Sequence, residues 1–402
     1  MSLRPAPPPS PTGTLAPADV VAALGRVANP PVALHEPEFA GNEWRYVKDT
    51  LDSGWVSYRG AYVERFERDL AAFIGAKAAI AVVNGTAALH VALVVAGVKP
   101  GDEVIVPSLT FIATANAVTF AGAITHFVDV EESTLGMDPV RLDRYLDDIV
   151  EHRGGIAINR LTGRRIGAVM PMHTFGHPVD LDLILEVCER HGIPLVEDAA
   201  ESLGSYYKGR HTGNHGLVAG LSFNGNKIAT TGGGGAILTN DEALAGRARH
   251  LTTTAKLPHR WEFIHDEVGF NYRLPNLNAA LGCAQLEELD GFIADKRRLA
   301  DRYVDAFAGV PGLAVVREPE FGKSNYWLNA ILLDPANAAL RDPILEATND
   351  AGFMTRPVWR LIHRLPMYAA SPRMDLPVSE SIEARLINIP SSAKLGRAGA
   401  GA

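Results

Sequence analysis

Short apolar runs alternate with longer segments of helical spacing through the middle of the chain. The apolar runs predict buried strands at residues 79–83, 103–107, 124–128, 166–170, 193–196 and 217–223. The spacing between them predicts helices at residues 86–96, 113–120 and 181–191. Repeated strand–helix units of this kind predict an α/β fold, with a mostly parallel sheet covered by helices on both faces.

The pattern changes near the end of this region. A long helix is predicted at residues 277–307, followed by an α+β unit with strands at 313–316, 327–333 and 354–358 and a helix at 341–351. We therefore expect a large domain over residues 34–280 and a small C-terminal domain over residues 281–395. Residues 1–33 are predicted to be an extension, disordered to residue 17 and helical at 19–27, and the Gly/Ala-rich tail 396–402 is expected to fray.

Composition and charge restrict the class of protein. A hydrophobic content of 47% and a charged content of 21% are typical of a globular enzyme. The net charge of -8, with no Lys/Arg-rich run, predicts no nucleic-acid partner. Two cysteines are too few for a disulfide framework and favour the reducing cytoplasm, and no run is apolar enough to predict export or membrane insertion. The 13 histidines lack metal-ligand spacing, so no metal site is expected.

Polar residues follow several predicted strands, at the edge of the sheet where ligands of α/β proteins bind. Asn84-Gly85-Thr86 opens a helix, where free N–H groups and the helix dipole favour an anion such as phosphate. A plain Asn-Gly turn is the alternative. Because no Walker-type lysine motif and no G-x-G-x-x-G sequence follows a strand, use of ATP or a dinucleotide is not indicated.

A lysine and an acid also follow predicted strands. Asp198 ends the run 195–198, and Lys227 comes after the run 217–223 in a polar stretch with few other charges. An amine in a partly desolvated pocket is a good nucleophile towards a carbonyl. Together with a buried carboxylate, it suits pyridoxal phosphate chemistry, in which the acid keeps the pyridine nitrogen protonated.

Longer motifs carry a family resemblance. The segments VEDAAESLGSYYKG, LSFNGNKIATTGGGGAILTND, NGTAALHVAL, PSLTFIATANAV and GFNYRLPNLNAALGCAQLEEL resemble the DegT-type pyridoxal-phosphate nucleotide-sugar aminotransferases, in the family's order. HEPEFAGNEW, SGWVSYRGAYVERFE, HLTTTAK, SNYWLN and INIPSS resemble the subgroup linked to legionaminic acid and bacillosamine-type sugars. The resemblance implies an aspartate-aminotransferase-like fold (fold type I).

The resemblance also implies roles for individual residues. Lys227 would be the Schiff-base lysine and the base that moves the proton, and Asp198 would pair with the pyridine nitrogen. Glu201 would contact the phenolic oxygen and share a proton with it. Asn271 would reach the cofactor of a neighbouring subunit, which implies a homodimer with shared active sites. The full set of implied cofactor contacts is Gly85, Thr86, Phe111, Asp198, Glu201, Ser222, Asn224, Lys227 and Asn271.

Substrate contacts are less sharply marked. Arg356 and His363 lie in segments that resemble substrate-facing parts of the family, and Trp55 is an aromatic in a loop that could face substrate or simply pack. The pair Tyr326-Trp327 is interpreted as packing of the small domain. The resemblance also suggests that the run Gly232 to Gly235 forms a tight backbone passage beside the lysine and the subunit interface, where side chains would not fit.

The resemblance implies transfer of an amino group from L-glutamate to C4 of a nucleotide-linked 4-keto-6-deoxy sugar. A UDP- or GDP-linked 2-acetamido-2,6-dideoxy-4-ulose is the expected acceptor, with GDP-4-keto-6-deoxymannose, which would give perosamine, as the alternative. Three other classes compete: a sugar dehydratase of this fold, a non-catalytic homologue and a Rossmann-type oxidoreductase. Lys227 argues against the dehydratase, and the presence of both Lys227 and Asp198 argues against the non-catalytic homologue. The missing glycine motif argues against the oxidoreductase.

Overall fold

The computed structural model describes residues 14–397. In that range the helices are α1 (Pro17–Gly25), α2 (Glu43–Ser53), α3 (Ala61–Ile74), α4 (Gly85–Val95), α5 (Ile112–Phe120), α6 (Pro139–Ile149), α7 (Leu181–His191), α8 (Glu242–Thr252), α9 (Asn276–Phe307), α10 (Arg341–Asp350) and α11 (Pro377–Arg385). The strands are β1 (Ala78–Val82), β2 (Glu103–Pro107), β3 (Ile124–Val128), β4 (Val150–Arg153), β5 (Ile156–Asn159), β6 (Ile166–Val169), β7 (Val196–Asp198), β8 (Tyr206–Tyr207), β9 (Arg210–His211), β10 (Val218–Ser222), β11 (Gly235–Thr239), β12 (Leu313–Val315), β13 (Gly322–Lys323), β14 (Asn329–Leu333), β15 (Arg356–Pro357) and β16 (Leu386–Ile389).

The main sheet consists of two hydrogen-bonded groups of strands, in the orders β1-β11-β10-β7 and β3-β2-β6. Parallel bridges from Val169 to Leu195 and from Met172 to Asp198 join the two groups. The pairs β2–β3, β2–β6 and β7–β10 are parallel, whereas β11 is antiparallel to both of its neighbours. Strand β11 reverses direction because residues 223–234 turn the chain straight back after β10, and this connection carries Lys227.

Both faces of this sheet are buried. Successive residues of β1 enter different hydrophobic clusters, Ala79 and Ala81 with α3 and Ile80 and Val82 with α4. Such two-sided burial explains why the strands read as continuous apolar runs rather than as an alternating pattern. The predicted α/β architecture is therefore confirmed, with an antiparallel strand added.

A second sheet lies in the C-terminal part of the chain, with the antiparallel order β12-β14-β16-β15. Helix α1 packs beside it, because Val20 and Leu24 share a hydrophobic cluster with Leu299 of α9 and Ile344 of α10. The prediction of disorder up to residue 17 is therefore wrong for residues 15–17, because Leu15 is buried and α1 begins at Pro17. Residues 1–13 lie outside the described range.

The chain end also differs from its prediction. Gly396 is buried against α9, and Arg397 forms ion pairs with Asp295 (2.8 Å) and Glu38 (2.7 Å). The predicted fraying therefore does not apply to these two residues, because they are held by charge and packing. The rest of the predicted tail, 398–402, lies outside the described range.

Helix α9 connects the two parts of the molecule. Its 32 residues would span roughly 48 Å at the α-helical rise. Cys283 and Leu289 belong to the cluster under the main sheet, whereas Leu299 and Tyr303 belong to the cluster of the second sheet. Among the described helices, none is both long enough and apolar enough to cross a membrane.

Candidate active site

An anion cradle forms where α4 meets the end of β10. Asn84 caps the helix, because its Oδ1 accepts a hydrogen bond from the N–H of Ala87 (2.7 Å). The N–H groups of Gly85 and Thr86 belong to the first turn, which has no acceptor within the helix. A Cβ added at Gly85 would lie 2.8 Å from Cβ of Ser222, so only glycine lets the Ser222 hydroxyl sit beside these donors.

Asp198 ends β7 and is buried. Its Oδ2 accepts a hydrogen bond from Thr114 Oγ1 (2.6 Å), and its Oδ1 accepts one from the N–H of Ala200 (3.1 Å). Burial raises the pKa of Asp198, and the hydrogen bond from Thr114 opposes that rise. The ionised carboxylate is therefore costly in this place unless a cationic group enters the cavity beside it.

Glu197 precedes Asp198 and points into a different environment. Its carboxylate accepts hydrogen bonds from the N–H groups of Gly213 (2.7 Å), His215 (2.7 Å) and Gly216 (2.6 Å). Burial favours the neutral acid, but His173 and these donors outweigh it and lower the pKa of Glu197 to about 2. The resulting anion fixes the end of β7, which holds Asp198 in place.

Lys227 lies in the connection between β10 and β11. Its Nζ lies 3.4 Å from Oε1 of Glu201 and 3.9 Å from the ring centre of Trp327. Only 11% of the lysine side chain is exposed. Trp327 is fixed in turn, because its indole N–H donates to the carbonyl of Asn226 (2.7 Å). The amine is therefore held between a carboxylate and an aromatic face.

Glu201 is buried beneath the lysine. Its Oε2 accepts a hydrogen bond from the backbone N–H of Phe175 (2.9 Å). Burial raises the pKa of Glu201 to about 7, although Lys227 acts in the opposite direction. A carboxyl group with this pKa can hold or release a proton near neutral pH, as a proton-sharing role requires.

These groups surround one cavity of about 310 Å³. It brings together eight of the residues predicted from the sequence: Gly85, Thr86, Phe111, Asp198, Glu201, Ser222, Asn224 and Lys227. Asn226, from the polar stretch around Lys227, also lines it. Three further lining residues were not predicted from the sequence: Met172, Trp327 and Trp359. The interpretation of Trp327 as packing is confirmed, because this side chain is buried in a hydrophobic cluster, but its ring also faces the lysine, which was not predicted.

Four predicted residues do not line this cavity in the described chain. Asn271 is exposed. Arg356, in β15 of the second sheet, donates to Oδ1 of Asn349 in α10 (3.1 Å), and Nδ1 of His363 lies 2.7 Å from the hydroxyl of Ser108. Trp55 lines a separate groove of about 670 Å³. Their contacts with cofactor or substrate therefore remain predictions.

The glycine run is only partly as expected. A Cβ added at Gly235 would lie 2.4 Å from the carbonyl oxygen of Asn84, so this glycine does mark a close backbone approach. At Gly233, in contrast, an added Cβ has no atom within 4 Å. The prediction of a tight passage is wrong for Gly233 within this chain.

A possible metal cluster lies elsewhere. His250, Asp266 and Glu267 place their ligand atoms within 4.8 Å of one another, although the sequence analysis predicts no metal site. These atoms already have partners, since His250 Nε2 lies 2.7 Å from Asp266 and Arg247 Nη2 donates to Glu267 (2.6 Å). The cluster is an ion-pair network at the surface.

The cavity fits pyridoxal 5′-phosphate by its donor set. Gly85, Thr86 and Ser222 offer N–H and hydroxyl donors for a phosphate, in a space that a side chain at position 85 would fill. Asp198 offers a buried carboxylate for a protonated ring nitrogen, and Lys227 offers an amine for the aldehyde carbon. The phosphate, the ring nitrogen and the aldehyde of the cofactor therefore each have a chemical counterpart.

Comparisons with known proteins agree with this geometry. The chain is 38% identical over 372 residues to a GDP-perosamine synthase of Caulobacter vibrioides, covering 92% of this chain and 95% of that protein. It is 36% identical over 361 residues to a GDP-perosamine synthase of Vibrio cholerae, covering 90% and 94%. The solved aminotransferase TlmJ from Streptoalloteichus hindustanus superposes with a TM-score of 0.80 at 30% identity, covering 89% and 93%.

The family description matches nearly the whole length of the chain, from residue 37 to residue 400. The enzyme is a nucleotide-sugar aminotransferase with pyridoxal phosphate as its cofactor, which confirms both expectations from the sequence. The chain belongs to the DegT/DnrJ/EryC1/StrS aminotransferase family.

Proposed function

We propose that this enzyme transfers an amino group from L-glutamate to C4 of GDP-4-keto-6-deoxymannose. The observation that carries the proposal is the near full-length similarity to GDP-perosamine synthases, at 36–38% identity. The 2-acetamido sugars that the subgroup motifs favoured are supported less well, because none of the relatives described above bears the name of an acetamido-sugar enzyme. They serve as competing acceptors in the test.

The first task of the protein is to bind and orient the cofactor. When bound, pyridoxal phosphate supplies the electron sink and carries the amino group between the two substrates. Gly85, Thr86 and Ser222 would hold its phosphate, and Asp198 would stabilise positive charge on its ring nitrogen. A cation beside Asp198 also removes the cost of ionising this buried carboxylate.

The second task is proton transfer. Lys227 Nζ would take a proton from the α-carbon of glutamate and would deliver one to C4 of the acceptor sugar. Glu201 lies 3.4 Å away and has a pKa of about 7. Its carboxyl group can therefore be ionised when the amine carries a proton and neutral when the amine has given that proton up. The low exposure of the lysine keeps bulk water from competing for these protons.

The third task is to hold the sugar. Trp327 and Trp359 line the cavity beside Phe111, the aromatic residue expected at the cofactor. Aromatic faces suit the apolar C–H surface of a 6-deoxy sugar, and they exclude water from the reacting carbon. We assign the acceptor sugar to this wall of aromatic side chains.

The proposal includes a homodimer with shared sites. Asn271 is exposed and lies apart from the cavity of its own chain, as a residue donated to a partner would be. Mixed dimers provide the test, because in a heterodimer of Lys227→Ala and Asn271→Ala chains with shared sites both substitutions fall in one site and the other site stays intact. Mixing the two inactive variants should restore about a quarter of wild-type activity if the sites are shared. No recovery after subunit exchange, shown by tagged chains, would refute sharing.

The acceptor is tested by assaying glutamate-dependent amination of GDP-4-keto-6-deoxymannose and of the UDP- and GDP-linked 2-acetamido-4-ketosugars. We expect kcat/KM for the GDP-mannose-derived substrate to exceed the others by at least roughly tenfold, since a missing or added polar group costs that much in a shaped site. Lys227→Ala is the control for enzyme-dependent turnover. A preference for an acetamido sugar would overturn the substrate assignment but not the aminotransferase.

A further inference from the structure

Phe175 has a backbone conformation that is rare for a residue with a side chain. Its φ is 56° and its ψ is 15°, in the left-handed region, and its side chain is fully buried. A non-glycine residue stays in this region only when its surroundings hold it there, and such residues concentrate at functional sites. The next residue, Gly176, has a φ of 95° and has no room for a Cβ, which would lie 1.8 Å from Oδ1 of Asn325.

The turn at Phe175 fixes one oxygen of Glu201. The N–H of Phe175 donates to Oε2 at 2.9 Å, while Oε1 faces Nζ of Lys227 at 3.4 Å. The backbone of Glu201 is held as well, because Asn325 Nδ2 donates to its carbonyl oxygen (2.9 Å). The carboxyl group therefore presents a single defined oxygen to the lysine.

The ring of Phe175 supports the aromatic wall from behind. Its centre lies 5.1 Å from that of Trp359 and 6.4 Å from that of Trp327. Both tryptophans line the cavity, whereas Phe175 does not. Trp327 has its own hydrogen bond to Asn226, whereas Trp359 packs against the same hydrophobic cluster as Phe175 and contacts the rings of Phe175 and Phe111.

We propose that Phe175 is a positioning residue for both the proton-transferring pair and the sugar-binding ring. Its backbone N–H orients Glu201 towards Lys227, and its ring sets Trp359 against the acceptor sugar. The inference rests on the proposed function for the sugar, but the orientation of Glu201 can be tested without any substrate. The charged groups that face Glu201 are Lys227 and Asp198.

The ring is tested with Phe175→Gly, because glycine adopts a positive φ freely and leaves the N–H in place. We expect KM for the ketosugar to rise roughly tenfold, with kcat within about threefold of wild type, since one aromatic contact is lost. If the ring acts through Trp359, Phe175→Gly will add nothing to the KM of Trp359→Ala. Phe175→Tyr should restore the wild-type KM.

The backbone is tested by comparing Phe175→Val with Phe175→Asn. A β-branched side chain disfavours a positive φ, whereas asparagine tolerates it. The readout is the pH-dependent infrared band of the protonated Glu201 carboxyl in cofactor-free protein, identified by its loss in Glu201→Gln. Wild type, Phe175→Gly and Phe175→Asn should titrate with a midpoint near the expected pKa of about 7.

In Phe175→Val the midpoint should be higher, because a hydrogen bond to the charged form is lost. If circular dichroism shows that Phe175→Val does not fold, Phe175→Ala takes its place in this comparison. A wild-type KM in Phe175→Gly or a wild-type midpoint in Phe175→Val would overturn the corresponding half of the proposal. An enzyme that aminates none of the ketosugars would refute the proposed function and leave the infrared result standing.

Discussion

Nζ of Lys227 lies 3.4 Å from Oε1 of Glu201, and both side chains are withdrawn from solvent. Glu201 follows the end of β7, which carries Asp198, and Lys227 lies in the loop between β10 and β11. The acid and the amine therefore come from separate segments at the edge of the sheet. Because Glu201 titrates near pH 7, the charge of this pair depends on pH within the working range of an enzyme.

Lys227→Ala should abolish turnover. Without the amine, the cofactor has no covalent anchor and the substrate carbon has no base, so the rate should fall by at least roughly 10³-fold. The absorbance band of the lysine-bound cofactor should disappear as well. Lys227→Arg is the matched control for charge, and it should remain inactive. An alanine variant with wild-type turnover would contradict the assignment of Lys227.

Glu201→Gln should make the cofactor-free protein more stable at high pH. In the wild type the pKa of Glu201 is about 7 when folded and 4.5 when unfolded, so only the unfolded chain ionises between these values. Stability from this group is present below pH 4.5 and is lost as the pH rises to 7. Glutamine lacks this loss, so its advantage should grow by up to about 3 kcal/mol between pH 4.5 and 8 in urea unfolding.

Asp198→Asn should lower kcat by roughly 10²- to 10³-fold, because a neutral amide cannot stabilise positive charge on the ring nitrogen. Thr114→Val is the milder companion, since it keeps the Asp198 carboxylate and removes its 2.6 Å hydrogen bond from Thr114, together with the 2.7 Å contact between the Thr114 and Thr110 hydroxyls. It should raise the pKa of Asp198 further and lower kcat by roughly tenfold. Equal effects of the two substitutions on single-turnover rates would show that the charge itself is not needed.

Gly235→Ala should destabilise the protein by roughly 1–3 kcal/mol, because the new Cβ would lie 2.4 Å from the carbonyl oxygen of Asn84. Separation of β11 from the start of α4 would also open the cradle, so affinity for pyridoxal phosphate should fall. Gly233→Val is the internal comparison, since no atom lies within 4 Å of an added Cβ there. Its urea unfolding should match wild type within about 0.5 kcal/mol, whereas a loss of dimerisation would place Gly233 at a subunit contact.

Much of the fold follows from local sequence pattern. The strand–helix units were predictable because their strands are buried on both faces, and the cavity-lining residues that follow those strands, such as Gly85, Asp198 and Ser222, were predictable from that position. Helix α1 was predicted two residues too late, but its packing was not predictable, because its partners on α9 and α10 lie far along the chain. Trp359 was missed for a similar reason, since only the tertiary fold brings the C-terminal part of the chain to Lys227.

The length of α9 has a consequence for motion. Near its middle, buried Lys296 donates to the carbonyl oxygens of Trp327 (3.0 Å) and Ser391 (2.6 Å). A continuous helix can bend only gently, and near its middle α9 is hydrogen-bonded to the segment that carries the Trp327 indole over Lys227. A change in the helix axis near Lys296 would therefore shift that indole relative to Lys227, so the bending of α9 and the geometry of the active site are coupled.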